Sequence, residues 1–309
     1  MLKASQAKPK EYPDALNLLF GHLPPNDRKT QVAELLGQVC EGELSLEGLA
    51  LVRDEDELTG VMLTVLQNDG TAMMFPPILK NLGDLRAAES LLRKTSEWFE
   101  SSNALLAQCL LEKDDQIFSK VLKENGYPLL AELVFLRNDL TQTASQESLN
   151  NEVMQSLENI AYSPESHAEF ESVLQQTYID SLDCPELTSI RSAEDALKGH
   201  RQAGKFHPEL WRVYRSEGKP VGLCLSTSHS DGELWELVYL GVVPEFRGTG
   251  WGRILLQECL LAARTAHAIA MTVAVDAANE PATRLYAKAG FQEVLRKDAH
   301  LRWKSRECK

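Results

Sequence analysis

The sequence LGVVPEFRGTGWG occupies residues 240–252, where an apolar stretch runs through a proline into a glycine-rich turn. Gly248, Gly250 and Gly252 alternate in this turn, so its backbone can adopt positive φ angles and no Cβ blocks a ligand. A helix is predicted over residues 253–268, and free amides and the helix dipole at its N-terminus favour an anion. The stretch therefore predicts a strand, a turn and a helix that together cradle a pyrophosphate.

The order of residues in the turn narrows the choice of ligand. A P-loop ends in Gly-Lys followed by Ser or Thr, whereas this turn continues as Gly252-Arg253-Ile254 and supplies neither the lysine nor the hydroxyl. A dinucleotide-binding turn needs the spacing G-x-G-x-x-G, and the spacing here is G-x-G-x-G. ATP, GTP and NAD are therefore disfavoured.

The pattern Arg247-x-x-Gly250-x-Gly252 resembles the Q/R-x-x-G-x-G/A motif with which the GNAT family of N-acetyltransferases holds the pyrophosphate of acetyl-CoA. A predicted strand over residues 269–276, then Asn279, Tyr286 and Gly290-Phe291, follow in the order of that family's second half. The resemblance covers residues 160–305 and implies an α/β (α+β) fold with a mixed, mostly antiparallel sheet flanked by helices. It also implies that acetyl-CoA is bound by Leu240, Val242, Val243, Arg247, Gly248, Thr249, Gly250, Trp251, Gly252, Arg253, Asn279 and Tyr286.

The same resemblance implies two catalytic residues. An alkyl amine with a pKa of about 10.4 is almost fully protonated at pH 7, so a base aids its attack on a thioester. Glu236 stands at the family's base position, and strand alternation puts it on one face with Val238 and Leu240; the alternative is an ordinary surface carboxylate. Tyr286 is expected to give a proton to the leaving thiolate, the alternative being packing on the cofactor.

Backbone N–H groups of residues 240–243 are expected to polarise the thioester carbonyl where the strand splays, as in the family. Asn279 either hydrogen-bonds the pantetheine arm or caps the following helix.

The first half of the chain repeats the layout of the second. Gly126-Tyr127 corresponds to Gly290-Phe291 at an offset of 164 residues, and Asp69-Gly70 to Asp231-Gly232 at an offset of 162. The near-constant offset indicates duplication rather than two unrelated α/β domains. We therefore expect two tandem GNAT-like domains, residues 1–145 and 146–309, with a polar linker near residues 138–152.

The first copy has lost the features that mark the second. At the same offset the glycine-rich turn becomes residues 83–88, with one glycine and an aspartate, while Tyr286 becomes Leu122 and Glu236 becomes Ala72. The first domain is therefore expected to be degenerate and non-catalytic.

Composition limits the other classes of function. A net charge of −13 and the absence of a Lys/Arg stripe disfavour nucleic acid. The six cysteines show no metal-ligand spacing, so no metal site is expected. The N-terminus has no apolar signal segment and no long apolar run occurs, which predicts a cytoplasmic protein with no membrane partner. The oligomeric state is left open between monomer and homodimer.

The sequence thus predicts an N-acetyltransferase whose second domain moves acetyl from acetyl-CoA to a primary amine of a small molecule or peptide by direct attack. The tandem arrangement is similar to that of mycothiol synthase-like proteins, which makes an amino-sugar thiol precursor one candidate acceptor. A non-catalytic acyl-CoA sensor or partner-binding module is the alternative, and transfer of a longer acyl group stays open. His207, Asp183-Cys184-Pro185 and Arg191 lie where acceptor loops run in the family, although a structural role is expected for His207 and Cys184, and His229 and His267 receive no role.

Overall fold

The computed structural model describes residues 2–67, 69–81, 83–141, 157–187, 192–229 and 232–304. The chain forms two compact units: residues 1–130 with 297–309, called unit 1, and residues 131–296, called unit 2. The expected boundary at residues 145 and 146 lies outside the described residues. Among the described residues, the compact units differ from the expected domains in residues 131–141 and 297–304, because a strand segment from each half of the sequence pairs with a strand of the other half.

Unit 1 is a sheet with helices on both faces. Its strands run antiparallel from β1 to β4, β4 pairs in parallel with β6, and residues 297–303 pair antiparallel with β6 on its other side. Its elements are β1 (Leu2–Gln6), α1 (Tyr12–Leu19), α2 (Pro25–Glu41), β2 (Leu49–Asp54), β3 (Glu57–Leu66), β4 (Thr71–Met74), β5 (Ile78–Leu79), α3 (Leu85–Ser101), β6 (Leu106–Glu112) and α4 (Gln116–Glu124).

Helix α3 shows how the sequence builds this unit. Its apolar residues recur at three- and four-residue spacing, so they form one stripe that packs on the sheet. The Asp84 carboxylate accepts a hydrogen bond from the Ala87 amide at 3.1 Å, which starts the helix. The buried stripe consists of Ala87, Ala88, Leu91, Leu92, Thr95 and Phe99.

Unit 2 has the same kind of sheet. Strands β8, β10, β11 and β12 are antiparallel neighbours, β12 pairs in parallel with β13, and β13 pairs antiparallel with β7. Its elements are β7 (Leu129–Asp139), β8 (Leu157–Ala161), α5 (His167–Tyr178), α6 (Ala193–Gln202), β9 (Lys205–Phe206), β10 (Arg212–Ser216), β11 (Lys219–His229), β12 (Leu234–Val242), α7 (Trp251–Thr265), β13 (Ala270–Asp276), α8 (Glu280–Lys288) and β14 (Gln292–Trp303), the last of which crosses into unit 1 at residue 297.

The two faces of the unit 2 sheet carry separate cores. On β11, Leu223 and Leu225 pack with α5 and α6, whereas Cys224 between them packs with α7 and α8. Because successive side chains of a strand point to opposite faces, α5 and α6 cover one face and α7 and α8 the other. The faces are called the α5/α6 face and the α7/α8 face below.

The two halves end their last helix in the same way. Gly126 and Gly290 adopt left-handed φ angles of 85° and 88°. The following amides, of Tyr127 and Phe291, bond back to the carbonyls of Leu122 and Tyr286 at 2.9 and 3.0 Å. This is the glycine-terminated helix end expected at equivalent positions of a duplication.

None of the helices in the described ranges combines the length and the apolar composition needed to cross a bilayer.

Candidate active site

Strands β12 and β13 pair along only part of their length. Their parallel ladder comprises Leu234, Trp235 and Glu236 against Ala270, Met271 and Thr272. Beyond it, β12 continues to residue 242 and β13 to residue 276 with no pairing between them. The strands therefore separate after Glu236 and leave a wedge-shaped opening in the sheet, called the split.

A β-bulge lies in β12 beside the split. Leu225 pairs with Tyr239 and the next residue, Ser226, pairs with Leu237, so Val238 is an extra residue. The expectation that Glu236, Val238 and Leu240 share one face is wrong, because the extra residue reverses the alternation. Leu240 packs with the α7/α8 core, whereas Val238 packs with the α5/α6 core.

The bulge and the ladder decide which amides face the split. The Val243 amide donates to the Val221 carbonyl at 2.9 Å, so its expected use as a donor to a ligand is wrong. The Val242 carbonyl points away from β11, where it accepts a hydrogen bond from Arg247 Nε at 3.0 Å. Since the N–H and C=O of one strand residue point to the same side, the amides of Leu240 and Val242 face the split.

The glycine-rich turn lies at the open end of β12. Gly248 and Gly250 have φ angles of 72° and 96°, which only glycine adopts easily, and α7 begins at Trp251 rather than at the expected residue 253. Gly252 has no such angle, and a Cβ there would lie 3.5 Å from Leu285. Within the described residues, the amides of residues 248–252 donate no hydrogen bond. Unpaired amides at a helix N-terminus form a site for an anion.

Arg247 stabilises this turn by hydrogen bonds to backbone carbonyls and does not face the anion site. Its guanidinium donates to the carbonyls of Val242, Thr177 and Asp180 at 3.0, 2.8 and 3.1 Å. The end of α5 is thereby tied to the end of β12. The Thr249 hydroxyl likewise donates to the Phe246 carbonyl at 2.7 Å. These two side chains shape the turn, while its backbone offers the donors.

Tyr286 lies on α8 at the α7/α8 face. Its side chain packs edge-on against Phe291, with 5.5 Å between ring centroids, and the residue is only 5% exposed. Burial, followed by the nearby charge of Asp183, raises the pKa of the Tyr286 phenol, so the hydroxyl stays protonated at neutral pH. No described residue hydrogen-bonds this hydroxyl.

Asn279 caps α8. Its side-chain oxygen accepts a hydrogen bond from the Ala282 amide at 3.3 Å. Of the two roles expected for Asn279, the structure displays the helix cap.

Glu236 is the last residue of β12 that pairs with β13 before the split. Its neighbours Trp235 and Leu237 pack in the α7/α8 core, so the Glu236 side chain lies on the α5/α6 face. Its Oε2 is 2.9 Å from Nε2 of His229, and the two side chains are 33% and 32% exposed. Sequence reasoning assigned no role to His229. The contact follows from the register of β11 and β12, in which His229 pairs with Leu234 and Thr227 pairs with Glu236.

A second carboxylate borders the open end of the split. Asp183 Oδ1 accepts a hydrogen bond from the Asp276 amide at 3.1 Å, and Asp276 Oδ2 accepts one from the Cys184 amide at 3.3 Å. The surrounding protein and then the Asp276 charge raise the pKa of Asp183, although its side chain keeps contact with solvent. Loop residues 181–187 therefore bring an anionic group to the end of β13.

The remaining candidates lie elsewhere. His207 bonds Ser228 Oγ at 2.8 Å and stacks on Trp235 with 5.0 Å between centroids, on the α7/α8 face. His267 ends α7 with a φ of 62°. Arg191 lies outside the described residues.

Metal ligation has one candidate group among the described residues. Ligand atoms of His167, Glu171 and Glu194 lie within 4.8 Å of one another. His167 Nε2 already pairs with Glu194 at 2.7 Å, and Glu194 also pairs with Lys198 at 3.1 Å. Two of the three members, His167 and Glu194, are thus already paired with each other.

Comparison with known proteins agrees with this geometry. Residues 174–291 match the acetyltransferase (GNAT) family model. A mycothiol acetyltransferase of Thermobispora bispora is 35% identical over 100 residues, which is 31% of this chain and 34% of that protein. A mycothiol acetyltransferase of Propionibacterium freudenreichii subsp. shermanii is 41% identical over 106 residues, which is 33% of this chain and 34% of that protein. The chain thus spans about a third of the length of these curated relatives.

Solved structures share the fold along nearly the whole chain. A GCN5-related N-acetyltransferase from Sphaerobacter thermophilus has a TM-score of 0.65 at 19% identity and covers 98% of this chain and 95% of its own. A tandem GNAT protein from the clavulanic acid biosynthesis pathway has a TM-score of 0.53 at 11% identity and covers 98% of each chain.

These likenesses confirm the predicted fold class, a mixed and mostly antiparallel sheet flanked by helices. Residues 174–291 match the GNAT family model, and the fold of nearly the whole chain is similar to that of a tandem GNAT protein.

Proposed function

We propose that this protein is an acetyl-CoA-dependent N-acetyltransferase, with its working site in unit 2 and a primary amine of a small molecule or peptide as acceptor. The observation that carries the proposal is the split between β12 and β13, which opens beside five unpaired amides at residues 248–252. An extended chain that ends in a pyrophosphate fits this combination. The backbone of Leu240 and Val242 would hold the arm, and the turn would hold the pyrophosphate.

The positions of Glu236 and Tyr286 fit transfer through the split. Glu236 lies on the α5/α6 face and Tyr286 on the α7/α8 face, so a thioester placed between the strands is approached from both sides. The acceptor nitrogen forms a bond to the acetyl carbon as the carbon–sulfur bond breaks. Glu236 takes the proton that the amine loses, and the Tyr286 phenol gives its proton to the leaving thiolate.

Direct attack fits better than an acetyl-enzyme intermediate on cysteine. Burial raises the pKa of the Cys259 thiol to about 11. The Cys184 thiol, nearest the open end of the split, has its pKa raised by burial and by the charges of Asp183 and Asp276. The thiolate is the nucleophilic form, so neither group attacks a thioester readily at neutral pH.

Unit 1 lacks each of these features, which supports a non-catalytic role for the predicted domain 1–145. All four residues of β4 pair with β6, so β4 has no unpaired length like that of β12 beyond Glu236. The Asp84 carboxylate occupies the N-terminus of α3 and accepts from the Ala87 amide, so this helix end is filled with negative charge. Leu122, at the place of Tyr286, is fully buried and has no proton to give.

The acceptor class follows from charge. Asp183 and Asp276 lie together at the open end of the split, and no described cationic side chain pairs with either carboxylate. Their negative charge supports a cationic acceptor such as an amine over an anionic one. The mycothiol acetyltransferase names of two relatives make an amino-sugar thiol precursor one acceptor to test.

Titration calorimetry with acetyl-CoA tests the proposal, followed by thiol release with glucosamine, spermidine and a lysine-containing peptide. One site per chain and release of free CoA with one of these amines are expected. Binding without release would favour the alternative, an acyl-CoA-binding sensor or partner-binding module. Two sites per chain would show that unit 1 also binds, and no binding at millimolar acetyl-CoA would refute the proposal.

A further inference from the structure

Glu236 is held by a side chain from the neighbouring strand. His229 Nε2 on β11 lies 2.9 Å from Glu236 Oε2 on β12, across the hairpin that joins the two strands. The other carboxylate oxygen, Oε1, has no partner among the described residues, and neither has His229 Nδ1. The pair therefore leaves one carboxylate oxygen open and one imidazole nitrogen open.

The position of the His229 ring is built into the fold. A Cβ added at Gly204 would lie 2.8 Å from His229 Cε1, 2.9 Å from the Ser228 carbonyl and 3.0 Å from Thr227 Oγ1. Only glycine lets the backbone after α6 approach the ring this closely. The imidazole is thus confined between this backbone and Glu236 while it keeps 32% of its surface in solvent.

An isolated glutamate at a strand edge turns freely about its side-chain bonds. A base must present one oxygen to the proton that it removes, and a misplacement of about 1 Å costs up to about 100-fold in rate. A fixed hydrogen bond to one oxygen directs the other. For Glu236, that oxygen is Oε1, and the residue itself is the last one of β12 that pairs with β13 before the split.

We propose that His229 is a positioning residue for the acetyl transfer: it donates its Nε2 proton to Oε2 of Glu236 and so presents Oε1 to the acceptor amine. The inference rests on the proposed function. The amine proton goes to Oε1 as the nitrogen–carbon bond forms and passes from the carboxyl to solvent afterwards. Tyr286 gives its proton to the leaving thiolate and regains one from solvent. His229 itself neither gains nor loses a proton in this step.

The test compares the steady-state kinetics of H229A, H229Q and E236Q with wild type, using the amine that gives the fastest CoA release. H229A is expected to lower kcat by about 10- to 100-fold with the Kd for acetyl-CoA unchanged. H229Q is expected to retain most of kcat, because the glutamine amide can donate to Oε2. Free imidazole added to H229A is expected to restore part of the lost rate by entering the emptied, solvent-open place of the ring.

E236Q provides the matched control. It should lose activity, and imidazole should not restore it, because the base itself is gone. A wild-type kcat in H229A beside an inactive E236Q would overturn the inference, as would full activity in E236Q with loss in D183N, which would make Asp183 the base. Both results leave the acetyltransferase function standing. Acetyl-CoA binding without CoA release in wild type would refute the proposed function and this inference with it.

Discussion

Tyr286 keeps its proton because of where α8 places it. The ring is buried in the α7/α8 core, no described group hydrogen-bonds the phenol, and burial and the Asp183 charge both raise its pKa. A hydroxyl in such a place contributes little to stability, since it forms no bond that folding gains. Its value lies in the proton, which it can donate in a hydrogen bond to the departing thiolate.

Tyr286→Phe should therefore separate activity from stability. The phenyl ring still packs against Phe291, so the melting temperature and the Kd for acetyl-CoA should change little. The proton is lost, and kcat should fall by about 100-fold or more. Thiol-release kinetics, calorimetry and a thermal melt measure the three quantities. A kcat within twofold of wild type would leave Tyr286 as a packing residue only.

His300 provides a pH-sensitive residue in unit 1. It is fully buried, with Nε2 3.1 Å from Ser119 Oγ and Nδ1 3.0 Å from the Tyr127 carbonyl. Burial lowers its pKa, and the charge of Lys123 acts in the same direction while the Tyr127 carbonyl and Asp298 oppose it. The unfolded chain therefore binds a proton at a higher pH than the folded chain does.

The free energy of unfolding of unit 1 should accordingly be fully retained above about pH 6.5 and fall as the pH decreases below it. One proton gives a slope of at most about 1.4 kcal/mol per pH unit. His300→Gln removes the titration and should flatten the profile between pH 6.5 and 5. Denaturant unfolding at several pH values measures this, and an unchanged slope in the variant would exclude His300 as its source.

At the scale of elements, the start of α7 needs an unusual backbone angle at the same residues that are proposed to bind the pyrophosphate. Gly250 has a φ of 96° and a Cβ there would touch nothing within 4 Å, so its constraint is conformational rather than steric. Gly252, two residues later, is helical. The motif thus needs glycine at residue 250 for a left-handed backbone angle and not at residue 252, although the two positions look equivalent in the sequence.

Gly250→Ala should lower the free energy of unfolding by roughly 1–2 kcal/mol, the cost of a left-handed conformation for an L-residue. By turning the amides of residues 248–252, it should also weaken acetyl-CoA binding by tenfold or more. Gly252→Ala is the matched control and should bind more nearly as wild type, with stability equal or slightly higher because alanine favours a helix. Calorimetry and thermal melts check both, and equal Kd values for wild type and G250A would contradict the anion-site assignment.

The sequence predicted elements well where the signal was local. Helix α3 (Leu85–Ser101) shows such a local signal, because its apolar period lies within the segment and the Asp84 cap directly precedes it. The α7 start was missed by two residues, since Gly250 caps the helix through a left-handed angle rather than a side chain. The bulge at Val238 was missed because an extra residue in a strand leaves no mark in the alternation of an apolar run.

The pairing of His229 with Glu236 was missed for a related reason. The two residues meet only through the register of the hairpin, and a register depends on strand pairing that a single strand pattern does not determine. The base and acid candidates, Glu236 and Tyr286, came instead from the resemblance to the GNAT family, which does not depend on the register of the hairpin.

At the scale of the whole molecule, unit 1 is built from two separate pieces of the sequence, whereas unit 2 is the continuous stretch 131–296. Residues 297–303 pair with β6 in unit 1, and residues 133–139 pair with β13 in unit 2. Each unit thus depends on a strand segment from the other half of the duplication. A mutation near the C-terminus should therefore act on the unit built mainly from the N-terminal half.

Leu301→Ala tests this dependence. Leu301 is 1% exposed and pairs with Gln108 of β6, so its truncation should cost about 2–5 kcal/mol in unit 1. The matched control is Leu260→Ala in α7, which is 4% exposed and belongs to unit 2. Hydrogen–deuterium exchange read by peptide should accelerate in β6 and α4 for L301A, and in α7 and β12 for L260A. Faster exchange of unit 2 with an unchanged β6 in L301A would contradict the assignment of the last strand to unit 1.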